Sequence, residues 1–234
     1  MTGNRSEALP IGSRAELAAV IDHTLLDPAA DARAVEAACA RVLEHGFATV
    51  CLAPVWIARA ASILRGSASG VCSVVGFPSG AHRTEIKAHE ARQAIADGAR
   101  ELDVVIALGA LKSGDLAAVR RDLEGVVEAA RGGALVKAIL ETGRLTDDEK
   151  RQAARMAAEA GAAFVKTSTG FGGGGATPDD VRLLHATVGD RCRVKASGGI
   201  RTTLQAIELL RAGASRLGTS VGPALLAGLT NTEA

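Results

Sequence analysis

Apolar runs rich in β-branched residues recur along the chain at 20–22, 48–52, 71–76, 101–106, 135–140, 164–169, 193–197 and 216–220. Between them lie stretches whose apolar positions return every three or four residues, near 31–45, 54–65, 84–97, 115–131, 146–160, 178–188, 202–212 and 221–228. Runs of the first kind suit buried strands and those of the second kind suit amphipathic helices. The punctuation agrees. Thr146 with Glu149 forms a capping box, Thr177-Pro178 a cap followed by proline at the first helical position, and Thr84 a plain cap. Gly46, Gly98, Gly161 and Gly213 fall just past helices, where the chain needs a left-handed residue.

Strand–helix alternation implies parallel strands joined by helical crossovers. Eight such units in 234 residues predict an α/β TIM (β/α)8 barrel rather than an open doubly wound sheet. The phrases EHGFATVCL, ADGARELDVVI, EAGAAFVKT and RAGASRLGT repeat one helix–glycine–strand joint, with loops too variable for a solenoid. No linker divides the chain. Residues 1–234 therefore read as a single barrel domain, with about 1–16 an N-terminal extension or extra helix.

Composition narrows the function classes. Hydrophobic residues make up 47% and charged residues 23%, as in folded globular chains. With 27 basic and 26 acidic residues the formal net charge is +1, which argues against a nucleic-acid binder held by phosphate contacts. Aromatic content of 2%, without tyrosine, leaves few platforms for stacking bases. No apolar run is long enough to span a membrane or to serve as a signal peptide. Cys39, Cys51, Cys72 and Cys192 match neither a C-x-x-C pair nor zinc spacing and read as core thiols, so a cytoplasmic, reducing location is expected.

In a TIM barrel the chemistry belongs at the C-terminal ends of the strands. Polar residues inside apolar strands are the ones to weigh: Asp103 in ELDVVI, Lys166 in AFVKTSTG, Lys195 in RVKASGG and Lys137 in LVKAIL. A single such lysine most simply reaches solvent at the rim. Several on consecutive strands with an acid can converge on one cavity. A lysine near its usual pKa of about 10.4 is no nucleophile at neutral pH, and lowering it to about 7 takes roughly 4.6 kcal/mol. A second ammonium about 5 Å away supplies about 3 kcal/mol at an effective dielectric near 20, and desolvation can provide the remainder. Paired lysines therefore suit covalent attack on a carbonyl, with a carboxylate moving protons. The loops TGFGGGGAT and SGGIRT, and the strand end LGTSVG, bring Gly198, Gly199, Gly218 and Ser220 to the usual phosphate position of such barrels. Thr169 and Gly170, which open the first loop, join them as substrate-binding candidates.

The segments FVKTSTGF, VKASGGIRT, VVGFPSG, ARELDVVI and IDHTLL together resemble the deoxyribose-phosphate aldolase family, from about residue 17 to 226. The resemblance implies a class I aldolase that reversibly cleaves 2-deoxy-D-ribose 5-phosphate into D-glyceraldehyde 3-phosphate and acetaldehyde. It implies Lys166 as the Schiff-base lysine, Lys195 as the lysine that lowers its neighbour's pKa and joins the proton relay, and Asp103 as the proton-transferring acid. It further implies Asp22, Thr24 and Cys51 near the substrate, Lys137 arranging the site, a homodimer, and chemistry that needs no metal or organic cofactor. Two positions depart from some members: Phe171 stands where they carry lysine, and Val221 where they carry serine. Some members also use a C-terminal tyrosine, whereas this chain ends GLTNTEA. Rival expectations are another phosphate-binding barrel enzyme, transaldolase-like, or a sugar-phosphate binder without turnover.

Other signals carry less. Gly170, Gly172 and Gly175 match a dinucleotide fingerprint, but in the sixth unit and within a glycine run. His82, Glu85 and His89 lack the spacing of a helical zinc motif. His23 fits a site-lining role and a structural one equally.

Overall fold

In a computed structural model that describes residues 11–229, eight parallel strands close into a barrel in sequence order. They are β1 (Ile21–Leu25), β2 (Thr49–Leu52), β3 (Gly70–Val75), β4 (Glu101–Val105), β5 (Leu135–Ile139), β6 (Phe164–Lys166), β7 (Arg193–Ser197) and β8 (Arg216–Thr219). The helices are α1 (Arg14–Ala18), α2 (Ala32–His45), α3 (Ile57–Ile63), α4 (Thr84–Ala96), α5 (Leu108–Lys112), α6 (Leu116–Ala130), α7 (Asp147–Ala160), α8 (Pro178–Val188), α9 (Thr203–Arg211) and α10 (Gly222–Ala227). The seam is a parallel β1–β8 pair in which Asp22 faces Gly218.

Period-two alternation sorts the strand residues. Val50, Leu52, Val71, Val75, Leu102, Val104, Val136, Val165, Val194 and Leu217 are buried in the apolar cluster that the helices share. Small residues on the helices, such as Ala38 and Cys39 on α2 and Ala153, Ala154 and Ala157 on α7, line the same cluster and let helix approach sheet closely. The inward-facing set is different in kind. Asp22, Asp103, Lys137, Lys166 and Lys195 are all buried, where such barrels more often carry branched apolar side chains. At the base the Phe164 ring fills the barrel, with the Arg193 guanidinium 4.0 Å from its centroid.

Helix ends follow the expected chemistry where a side chain can reach. Thr146 and Glu149 form the capping box of α7, the Thr177 hydroxyl accepts from Asp180 N–H, and Gly46, Gly98, Gly161 and Gly213 all take positive φ. Thr84 is not a cap. Arg83 holds that position without a side-chain bond, while the Thr84 hydroxyl donates to Asp122 on α6 at 3.1 Å. The helix expected over 54–65 begins as a 3-10 turn at Pro54–Trp56, and α5 lies ahead of the helix expected at 115. Strand β1 runs on to Leu25, past the polar residues at which the expected run over 20–22 stops. Strand β6 stops at Lys166, although Thr167 N–H still donates to Lys195 C=O and Thr167 C=O still accepts from Thr142 N–H. Of the expected extension over 1–16, residues 1–10 lie outside the described residues, as do 230–234 of the tail; α1 starts at Arg14 behind a Ser13–Glu16 capping box.

Candidate active site

Lys166 on β6 and Lys195 on β7 are register partners, and both amines donate to Asp103 Oδ2, at 2.6 and 2.7 Å. Asp103 Oδ1 accepts from Lys137 Nζ at 2.8 Å and from the Cys72 thiol at 3.2 Å. The contacts continue into a closed ring of alternating charge. Lys195 also donates to Asp22 at 2.5 Å, Asp22 accepts from Arg216 at 2.7 Å, and Arg216 reaches Glu101 at 2.9 Å. Glu101 pairs with Lys137 at 2.6 Å, which returns the path to Asp103. Three carboxylates and three cations balance within this ring. Lys166 is a seventh charged group, attached to the ring at Asp103, and its charge is unmatched.

The ring fixes the charge of its members. Burial pushes the Asp103 and Asp22 carboxyls up, but Lys137, Lys166 and Lys195 around the first, and Lys137, Lys195 and Arg216 around the second, outweigh it and hold both well below the usual carboxylate range. Burial likewise works against charge on Lys195 and Lys137, yet Asp103 and Asp22 outweigh it and hold both above an ordinary lysine. This amends the expectation of a bare ammonium acting on Lys166: two carboxylates compensate Lys195 first, so Lys166 meets the field of the whole ring. Lys195 is a fixed cation at rest, and Asp103 a fixed carboxylate.

Above the ring lies a cavity of about 500 Å³ walled by Thr24, Lys166, Thr169, Gly170, Gly198, Gly199, Gly218 and Ser220, all candidates from the sequence. Lys166 is the cluster lysine on this wall, at 3% exposure against 0% for Lys137 and Lys195. The β7–α9 loop turns through two left-handed glycines, Gly198 and Gly199, with φ of 93° and 77°. Gly218 has a different reason to be glycine: a Cβ there would lie 2.9 Å from Ser197 Cβ and 3.1 Å from Lys195 Cε. A second, more open hollow of about 610 Å³ beside Lys112 and Arg144 holds none of the ring residues.

Three candidates are off the cavity wall. Asp22, Cys51 and Lys137 do not line the cavity; they lie beneath its floor, Asp22 and Lys137 as ring members. Cys51 is the register partner of Cys72 and packs with it and Val74 near Leu26 and Phe77. Cys51, Cys72 and Asp103 come within 4.8 Å of one another. The Asp103 oxygens already accept from three amines, and Lys137 Nζ lies 3.2 Å from Cys72 Sγ, so a metal cation would meet repulsion there. His23 stacks on Phe47 with ring centroids 5.4 Å apart, and burial first, then Arg41 and His45, push its pKa down to about 4. It is structural. His82, Glu85 and His89 are exposed. Two glycines of the dinucleotide-like match serve packing: a Cβ on Gly172 would meet the Glu141 carboxylate at 2.6 Å, and one on Gly175 the Gly198 carbonyl oxygen at 2.5 Å.

Five residues were not found from sequence. Ser197 and Arg201 wall the cavity, and Arg201 stood inside SGGIRT, quoted only for its glycines. Glu101 and Arg216 look in sequence like ordinary strand-end charges. Glu141 is buried, takes a left-handed φ of 58°, and accepts from the Thr169 hydroxyl at 2.5 Å, which fastens the loop after β6. Phe171, half exposed, meets Phe77 edge-on at 5.4 Å on the cavity rim.

Residues 17–228 match the family described as DeoC/LacD family aldolase. A deoxyribose-phosphate aldolase of Bacillus licheniformis is 50% identical over 218 residues, 93% of this chain and 98% of that protein. The crystal structure of a putative deoxyribose-phosphate aldolase from Coccidioides immitis superposes with a TM-score of 0.90 at 39% identity, covering 97% of this chain and 91% of the other. A deoxyribose phosphate aldolase from Aeropyrum pernix, described as tetrameric, does so at 0.87 and 36% identity, covering 93% and 92%.

Proposed function

The chain belongs to the DeoC/LacD family of aldolases, and from that premise we propose that it cleaves 2-deoxy-D-ribose 5-phosphate reversibly to D-glyceraldehyde 3-phosphate and acetaldehyde through a Schiff base on Lys166. The observation that carries the mechanism is the unmatched charge: Lys166 is the cavity-facing amine of a cluster that becomes neutral when that amine gives up its proton.

The free amine adds to the substrate carbonyl, and the carbinolamine loses water to give a protonated imine. When Lys166 enters the carbinolamine, Asp103 loses one of its three compensating cations and becomes a better base. It then accepts the proton released by the attacking nitrogen and passes it to the carbinolamine oxygen, directly or through water, and a further proton taken up from solvent lets the hydroxyl leave as water. The imine withdraws electrons as the bond between the second and third carbons breaks and the hydroxyl on the third carbon gives up its proton. The enamine left behind takes a proton on the second carbon and is hydrolysed to acetaldehyde and the free Lys166 amine, so the reaction itself calls for no metal or organic cofactor. Lys195 contributes a fixed charge and holds Asp103 in place, and its tightly held proton makes it the weaker candidate for the relay.

The phosphate end is assigned to Gly170, Gly198, Gly199 and Ser220, with Arg201 as the nearby cation and Thr24 and Thr169 towards the sugar hydroxyls. A transaldolase-like or purely binding barrel is the weaker reading, because relatives at this identity are named for the deoxyribose reaction. We read residues 1–234 as one domain acting in the cytoplasm; four free thiols suit a reducing compartment, and no described helix is long and apolar enough to cross a membrane. A homodimer is the proposed assembly, to be read by light scattering. Release of acetaldehyde from 2-deoxy-D-ribose 5-phosphate, lost in Lys166→Ala, tests the activity.

A further inference from the structure

Resting on that reading of Lys166, we propose that Arg216 and Glu101, at the closed end of the barrel, are positioning residues that set the pH at which the cavity amine becomes reactive.

Neither residue lines the cavity. Arg216 connects Asp22 to Glu101, Asp22 holds Lys195, and Glu101 holds Lys137. Both lysines then meet on Asp103, the carboxylate that holds Lys166. The side chains facing this interior are Asp22 from β1, Cys51 from β2, Cys72 from β3, and Glu101 and Asp103 from β4. Lys137, Lys166, Lys195 and Arg216 follow from β5 to β8. Arg193 stacks on Phe164 and is exposed, so solvent screens it; from above, the cavity wall brings Asp27 and Arg201, and the loop after β5 the buried Glu141, which both ring variants leave in place.

Lys166 is singular because the six charges of the ring cancel among themselves. If Arg216 is removed, the ring carries one excess negative charge, which a protonated Lys166 satisfies. If Glu101 is removed, the ring carries one excess positive charge, which favours the free amine. Two substitutions distant from substrate should therefore move the same kinetic limb in opposite directions. Loss of packing or of barrel closure would lower the rate in both but has no reason to give opposite signs.

The test is the pH profile of kcat/KM for cleavage of 2-deoxy-D-ribose 5-phosphate, whose acid limb reports the macroscopic titration of the cluster. We expect Arg216→Met to move the limb up by about one pH unit and Glu101→Gln to move it down by about as much, a unit charge acting across the barrel interior. Arg216→Lys, which keeps the charge, should return the limb to the wild-type position even where kcat stays low. Unmoved limbs, or shifts of the same sign in both variants, overturn the proposal. Should Arg216→Met fail to fold, Glu101→Gln decides alone: a downward shift supports the proposal, and any other result overturns it. An inactive wild type would instead refute the functional reading.

Discussion

Lys166 and Lys195 face each other across one rung of the barrel wall and donate to the same oxygen of Asp103. Two ammonium groups that close are tolerable because Lys195 is also held by Asp22 and belongs to a balanced ring. The positive charge left over lies on the group that faces the cavity.

Lys195→Leu takes one cation from the ring, and the remaining negative charge should keep the proton on Lys166. We expect kcat/KM at pH 7 to fall about a hundredfold and the acid limb to rise by one unit or more. Lys195→Arg, keeping the charge, should leave the limb in place. A pH–rate comparison with melting temperatures as a folding control decides this, because removing one partner of a buried pair costs about 3–5 kcal/mol.

Gly218→Ala sets a methyl group against Lys195 Cε and Ser197 Cβ. The expected outcome is a drop in kcat of about tenfold with little change in KM, because the methyl group presses on the amine cluster from inside the wall. Steady-state kinetics that show only a raised KM would place Gly218 with the phosphate loops instead.

Arg201 is the cation beside the two left-handed glycines, and at the rim Phe171 offers the phosphate no charge. Arg201→Met should raise KM for the phosphorylated sugar by about tenfold or more and leave turnover of free 2-deoxy-D-ribose nearly unchanged. Comparing kcat/KM for the two sugars in both proteins tests it.

His23 links the fold to pH. Its folded pKa of about 4 lies below the ordinary 6.5, so the unfolded chain binds more protons between these values. Its contribution to stability is full above pH 6.5 and is lost as pH falls towards 4, by about 3 kcal/mol. His23→Leu should flatten that part of the stability curve. Its Nδ1 has no hydrogen-bond partner among the described residues, so stability at pH 7 should change by no more than about 1 kcal/mol. Denaturant unfolding from pH 7 to pH 4 reads both effects.

The eight units were legible because the outward strand faces are mostly apolar and four helices close at a glycine with positive φ, Gly46, Gly98, Gly161 and Gly213. Lys166, Lys195 and Asp103 were legible because a charge inside an apolar strand needs a reason. Arg216 and Glu101 were not, since both sit at strand starts where charges are ordinary, and only closure of β1 on β8 brings Arg216 to Asp22. Glu141 hid behind a short loop, and its left-handed backbone has no signature in a glutamate. The end of β1 was missed because polar residues inside a barrel look like the end of a strand.

The most direct measurement is borohydride reduction in the presence of acetaldehyde, followed by peptide mass mapping. The account predicts one ethyl group per chain on Lys166, with no trapping in Lys166→Ala and correctly folded protein in both. Ethylation of Lys195 or Lys137 in its place, or undiminished trapping in Lys166→Ala, would contradict it.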